Sequence, residues 1–246
     1  MTLSLHLLFD IIAYTVAIFI YLLCGRFLNI EERPMGYNLA IIAGMLIGGG
    51  FCARFAVQFE HGVPSDFAQI LTGMHTGGKS VVAGFLGAIA GTKLVKLLLP
   101  RSTYESADKV IGDQAIVPFT LALVIGRIGC LLSGLSDNTH GMPTGLKWGY
   151  DYGDHILRHP TQLYEITSMT LICAGLLLFW NKLTSYGLRF QIFVFCFCLQ
   201  RLIVEFFGIH PTPYRGLTIY QLLSLAGMIW SFFLFNSTSR SIKGVG

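Results

Sequence analysis

Residues 114–133 read "QAIVPFTLALVIGRIGCLLS". An α-helix rises 1.5 Å per residue, so about 20 mostly apolar residues cross the hydrocarbon core of a bilayer. This stretch has that length and character, with one exception: Arg127 lies inside it. A charge at such a depth costs ~2.5 kcal/mol or more, so a crossing reading requires a partner that offsets the cost. No acidic residue stands near Arg127 in sequence, and the partner has to come from elsewhere.

The rest of the chain supports a membrane reading. The 246 residues are 53% hydrophobic and only 12% charged, against about 25% charged in a soluble domain, and the mean hydropathy is +0.63. Six further apolar runs, roughly 5–24, 37–58, 69–99, 162–181, 187–208 and 217–236, join 114–133 to give an all-α polytopic membrane protein of about seven crossings. The third run is overlong and glycine-rich, which suggests a kink or a partly re-entrant segment. The first lacks a basic leader and a small-residue cleavage site and reads as a retained helix. Lys and Arg set the orientation. Arg26, Arg33, Lys93, Lys96, Arg101, Lys109, Lys182, Arg189, Arg240 and Lys243 fall on one side, and Lys147, Arg158 and Arg215 on the other. The N-terminus is therefore expected outside and the C-terminus in the cytoplasm, with a polar loop at 134–161 on the outer side. No repeat or linker divides the chain, so a single membrane-embedded domain is expected over 1–246.

The modest net charge of +4 is spread along the chain and gives no basic stripe for nucleic acid. The cysteines, including Cys130, sit mostly in apolar runs without zinc spacing and read as buried thiols. The outer loop holds His140, Asp151, Asp154, His155, Arg158 and His159, but their spacing fits no metal-ligand motif. No metal or cofactor is expected, and a loop facing a lipid headgroup is the preferred reading.

Four cations lie at membrane depth: Arg54, Lys79, Arg127 and Arg201. Arg54 has the option of snorkelling to the interface. Lys79 is either a packing lysine or a ligand for an anion. Arg201 has Glu205 one turn along its own face, so the two either neutralise one another or share a ligand. Arg127 is hardest to explain structurally. Together they suit a shared anion, and for a membrane protein the natural anion is a phospholipid headgroup, whose phosphate matches the guanidinium fork. Glycines such as Gly126 and Gly129 allow close approach of backbone or lipid, and equally allow close helix packing. A helix is expected to start at Pro160 or Thr161, with Glu165 complementing its positive end.

Four segments carry a resemblance: "TGGKSVVAGFLGAIAG" at 76–91, "GRIGCLLSG" at 126–134, "RHPTQLYE" at 158–165, and "QRLIVEFFG" at 200–208 followed by "YQLLSLAG" at 220–227. In this order they resemble the bacterial prolipoprotein diacylglyceryl transferase family, whose pattern runs Gly-Arg-x-Gly-Asn, then Arg-His-Pro-Ser-Gln-Leu-Tyr-Glu, then Arg-x-x-x-Glu-Phe-Phe. The resemblance implies an enzyme of the bacterial inner membrane. Its activity would be transfer of a diacylglyceryl group from phosphatidylglycerol to the thiol of a prolipoprotein signal-peptide cysteine, with release of glycerol phosphate. It implies catalytic roles for Arg127 and Arg201 at the lipid phosphate and substrate-side roles for Gly126, Gly129, Gly141 and Glu205; Arg158, His159, Gln162, Tyr164 and Glu165 match the second motif, where fixing the loop to the helix and a substrate-side role both stand open, and Lys79 is preferred as an added phosphate ligand. The partners would be a phosphatidylglycerol-like donor and a prolipoprotein or other thiol acceptor.

The chain also departs from the pattern. Cys130 replaces the family asparagine, and Val82 stands where the family carries a histidine. His75, Lys79, His140 and His159 are the candidate replacements. The departures leave two alternatives open: a divergent transferase with a similar donor and another acceptor, or a phospholipid-binding protein without catalysis.

Overall fold

The computed structural model describes residues 5–27, 35–64, 70, 78–99, 105–183, 185 and 187–243. Seven α-helices are found among them: α1 (Leu5–Phe27), α2 (Met35–Val57), α3 (Val81–Leu98), α4 (Glu105–Ser133), α5 (Thr161–Leu178), α6 (Leu188–Glu205) and α7 (Ile219–Lys243). The expected all-α class is corrected in one detail. The loop between α4 and α5 forms a small antiparallel hairpin of β1 (Tyr150–Asp151) and β2 (Leu157–Arg158), with Tyr150 opposite Arg158. A run of turn formers between two long helices allows this local pairing.

Among the described residues, five helical stretches are long and apolar enough to cross a membrane: Leu7–Arg26, Met35–Val57, Val81–Leu98, Ile111–Asp137 and Thr161–Leu178. The apolar part of α7, Ile219–Phe233, is shorter, and α6 carries Arg189, Arg201 and Glu205 within its 18 residues. The chain is a mostly helical polytopic membrane protein. The overlong third run contributes α3 from Val81 onward; the kink or re-entrance expected ahead of it falls largely on residues outside the described ones, as does His75.

The chain forms two compact units. The first holds residues 1–30, 109–209 and 230–246. Here α4 starts earlier than hydropathy suggests, because a buried acid continues the helix. Asp113 is almost fully buried, and its Oδ1 accepts from Phe190 N at 2.9 Å while Oδ2 accepts from Gly187 N at 3.3 Å and Arg189 Nη1 at 3.2 Å. It thereby satisfies amide donors that the first turn of α6 cannot satisfy itself. Arg189 also lies 4.1 Å above the Trp180 ring. Further along, the Phe119 ring meets Phe193 and Phe197 edge-on at 5.9 and 5.4 Å. A side chain added at Gly112 would meet Phe190. Successive levels of α4 thus match successive levels of α6, so the two helices run in the same direction.

The second unit holds residues 31–108 and 210–229. In it α2 and α3 touch through small residues. A Cβ on Gly44 would lie 2.8 Å from Gly91 O, and one on Gly49 would lie 3.1 Å from Gly84 O. Such backbone-to-backbone approach is how membrane helices associate where the solvent is already apolar. Ser80 starts α3: its Oγ accepts from Ala83 N at 3.2 Å, and its own N–H donates to Ala53 O at 2.9 Å. Tyr214 donates its hydroxyl to Phe59 O at 2.7 Å, joining the two loops of this unit.

Candidate functional site

Helices α4, α5 and α6 bring four ionisable side chains together inside the first unit. Arg127 on α4 donates from Nε to Glu165 Oε2 at 2.8 Å. Arg201 on α6 donates from Nη1 to the other oxygen of the same carboxylate, Glu165 Oε1. Arg201 Nη2 faces Glu205 Oε2 at 3.4 Å. All four residues are buried, Glu165 being 3% exposed. Cys130, one turn beyond Arg127, places its sulfur 3.9 Å from Arg127 Nη1. Arg201 Nε is buried with no hydrogen-bond partner among the described residues.

This arrangement bears on three expectations. The protein partner of Arg127 is Glu165, supplied by another helix. Glu165 is turned onto the arginines, so neutralising the positive end of α5 is not its main contact. The Arg201–Glu205 pair exists, but the carboxylate shared with Arg127 is the closer one. An uncompensated guanidinium here would be prohibitive; paired through hydrogen-bonded carboxylates, it is tolerated.

The loop between α4 and α5 is fastened to the same end of these helices. Gln162 is fully buried with both ends of its amide engaged: Nε2 donates to Thr139 Oγ1 at 3.1 Å, and Oε1 accepts from Tyr152 OH at 2.7 Å. Thr161 Oγ1 donates to Thr139 O at 2.6 Å, and Thr139 Oγ1 donates to Asp137 Oδ2 at 2.6 Å. Tyr164 OH accepts from Trp148 Nε1 at 3.2 Å and lies 3.1 Å from His159 Nδ1. The His159 ring also leans on Phe207, with centroids 4.8 Å apart. Gly141 donates its N–H to His159 O at 3.0 Å, and Met142 N–H donates to Phe207 O at 2.8 Å, so the loop is sewn to the C-terminal end of α6.

Electrostatics differ along this loop. Arg158 grips Asp154 with two hydrogen bonds of 2.7 Å, which hold the Asp154 carboxyl down to about 2 and the Arg158 guanidinium above its usual range. Burial pushes the Tyr152 phenol up to about 12. Burial and the nearby Arg158 hold His140 below the ordinary imidazole value.

Of the residues expected at a site, Arg127, Arg201, Glu165 and Glu205 converge. Gln162, Tyr164, His159 and Gly141 fix the loop. Arg158 is engaged in the hairpin. Gly129 packs against Phe9, where a Cβ would lie 2.6 Å from the ring-bearing carbon, while Gly126 faces open space. Lys79 and Arg54 belong to the second unit: Lys79 directly precedes the Ser80 cap, and Arg54 is exposed in the last turn of α2. Sequence reasoning missed Asp113, Thr139 and Tyr152.

The sequence profile of the family described as prolipoprotein diacylglyceryl transferase matches residues 3–236. Among similar proteins, the phosphatidylglycerol–prolipoprotein diacylglyceryl transferase of Clostridium tetani is 31% identical over 230 residues, covering 85% of each chain. The protein of that name from Idiomarina loihiensis is 30% identical over 177 residues, 71% of this chain and 62% of the relative, so this chain spans less than two thirds of that relative's length. The one from Nitrosospira multiformis is 27% identical, covering 89% of this chain and 80% of the relative. No solved structure matches the chain.

Proposed function

The chain belongs to the prolipoprotein diacylglyceryl transferase family, and on that premise we propose that it is a transferase moving the diacylglyceryl group of phosphatidylglycerol onto the thiol of a prolipoprotein cysteine. The observation that carries the reading is the meeting of Arg127 and Arg201, from different helices, on one buried anion. Two guanidinium forks that grip the two oxygens of a carboxylate present the donors that two non-bridging oxygens of a phosphate need.

In the reaction the thiolate sulfur attacks the glyceryl carbon next to the phosphate oxygen. A carbon–sulfur bond forms, the carbon–oxygen bond breaks, and its electron pair remains on the departing glycerol phosphate. Arg127 and Arg201 stabilise that growing negative charge in a site of low dielectric. The thiol proton goes to a neutral base. Val82, at the place of the family histidine, is fully buried and apolar, so the base is another group. We assign it to His140. Its Nδ1 is buried without a hydrogen-bond partner among the described residues, and its lowered pKa keeps it neutral and able to accept.

We place the chain in the bacterial inner membrane as one functional domain of seven crossings, with the N-terminus outside and the C-terminus in the cytoplasm. The parallel course of α4 and α6 supports the alternation, and the excess of Lys and Arg supports the orientation. The loop 134–161 then covers the outer end of the arginine cluster.

The test is incubation of the purified protein with phosphatidylglycerol and a lipobox peptide. Mass spectrometry should find the diacylglyceryl adduct on the peptide and released glycerol phosphate, and neither with Arg127→Ala or Arg201→Ala, although both variants insert into membranes. Full turnover by both variants would refute the phosphate site. The apolar Val82 favours one second reading, a transferase with the same donor and another acceptor; it predicts consumption of phosphatidylglycerol without a peptide adduct. Binding with no glycerol phosphate released would mark a non-catalytic lipid-binding protein.

A further inference from the structure

The two arginines already share an anion. Arg127 Nε and Arg201 Nη1 are already taken by the two oxygens of Glu165, so an incoming anion has to compete with that carboxylate. A phosphate diester adds a negative charge. In a buried site an added charge is not tolerated unless a resident charge withdraws or is neutralised. Glu205 lies on the same helix as Arg201 and faces that arginine at 3.4 Å. Glu165 comes from a third helix and bridges both arginines, one oxygen to each, as a phosphate would.

We propose that Glu165 is a resident stand-in for the phosphate: it holds the two guanidinium groups in register between turnovers and exchanges with the incoming phosphate anion. The proposal rests on the reading that these arginines take a phosphate. It explains why two buried arginines lie side by side without repelling one another, and it gives glycerol phosphate a route out, since the returning carboxylate competes for the same donors. The start of α5 is anchored by Thr161 and the fully buried Gln162, so the exchange is a rotamer change of Glu165 on a fixed helix. The ionisable groups on Glu165 are Arg127 from α4 and Arg201 from α6, and behind them Cys130 lies against Arg127 and Glu205 against Arg201. Glu165 touches the ligand's donors and not the reacting atoms, and is therefore a positioning residue.

The experiment uses the full-length protein in micelles, with inorganic phosphate titrated in one arm and phosphatidylglycerol against neutral diacylglycerol in another. In Glu165→Gln the anion competitor is gone, so inorganic phosphate and phosphatidylglycerol should each bind at least about tenfold tighter, with diacylglycerol unchanged. Donor KM should fall, and kcat should fall with it as glycerol phosphate release slows. A Gln variant that binds both phosphates as wild type does, or more weakly, with KM raised, makes Glu165 a strut and overturns the proposal. If wild type itself fails to prefer phosphatidylglycerol over diacylglycerol, the phosphate reading falls, and this inference falls with it. Tightening confined to inorganic phosphate would assign the pair to a free phosphate and not to a lipid. Should Glu165→Gln not fold, Glu165→Asp decides: it keeps the charge but is too short to span both arginines, and binding of inorganic phosphate should tighten a few-fold. Unchanged or weaker binding overturns the proposal.

Discussion

Gly141→Ala tests whether the loop between α4 and α5 must be seated on α6 for the site to work. A Cβ built on Gly141 would lie 2.6 Å from His159 Cβ, 2.6 Å from His159 O and 2.7 Å from Phe207 O. Two of these atoms are backbone, so the clash cannot be relieved by rotating a side chain. The loop has to retreat, and the hydrogen bonds from Gly141 N to His159 O and from Met142 N to Phe207 O are lost. Each is worth about 1 kcal/mol, and forcing an extra methyl into packed surroundings costs about 1–3 kcal/mol more. Alanine's smaller loss of chain entropy returns less than about 1 kcal/mol. The clash wins, with a net cost of about 2–4 kcal/mol on loop docking, or roughly 30- to 1000-fold in its opening equilibrium. Amide hydrogen exchange should show peptides from 139–160 opening faster by that factor, while α4 and α6 stay protected and donor turnover drops. Gly145→Ala is the control: nothing lies within 4 Å of its added Cβ, and it should be silent. Wild-type exchange and activity in Gly141→Ala would refute the argument that this contact seats the loop.

Three further outcomes follow. The hairpin should loosen in acid: Asp154 is held down to about 2 by Arg158, so its stabilisation is complete above the unfolded value near 3.9 and is lost as pH falls toward 2. Asp154→Asn should abolish this pH dependence in a fluorescence titration of Trp148, and an unchanged acid transition would contradict it. Cys130→Ser should retain most turnover, since the thiol is a buried neighbour of Arg127; an inactive serine variant would put sulfur in the chemistry. Lys79→Ala, an expectation carried by the sequence alone, should raise the donor KM, and unchanged lipid affinity and rate would leave Lys79 a capping-region residue.

Several features were legible in the sequence because they are local. Hydropathy over 20-residue windows identified the helices, and the order of three motifs identified the family. Pro160 and Thr161 located the start of α5 to within a residue. Hydropathy failed at α4, whose first turns contain Asp113, a charge that any apolar window counts as an ending. In the fold that carboxylate is buried because it caps α6 from the side, a partnership across a long loop that no local pattern encodes.

The candidate site divides in the same way. Composition alone established a helical membrane protein with arginines too deep to be accidental. Motif order named Arg127, Arg201, Glu165 and Gln162 as residues to watch. Only the tertiary structure decided that Glu165 belongs to both arginines at once, that Glu205 faces Arg201, and that Gly141 is a point of closest approach. The reason is physical: hydrophobic transfer acts residue by residue and leaves its record along the chain, whereas the energy of an ion pair depends on the distance between groups that folding brings together.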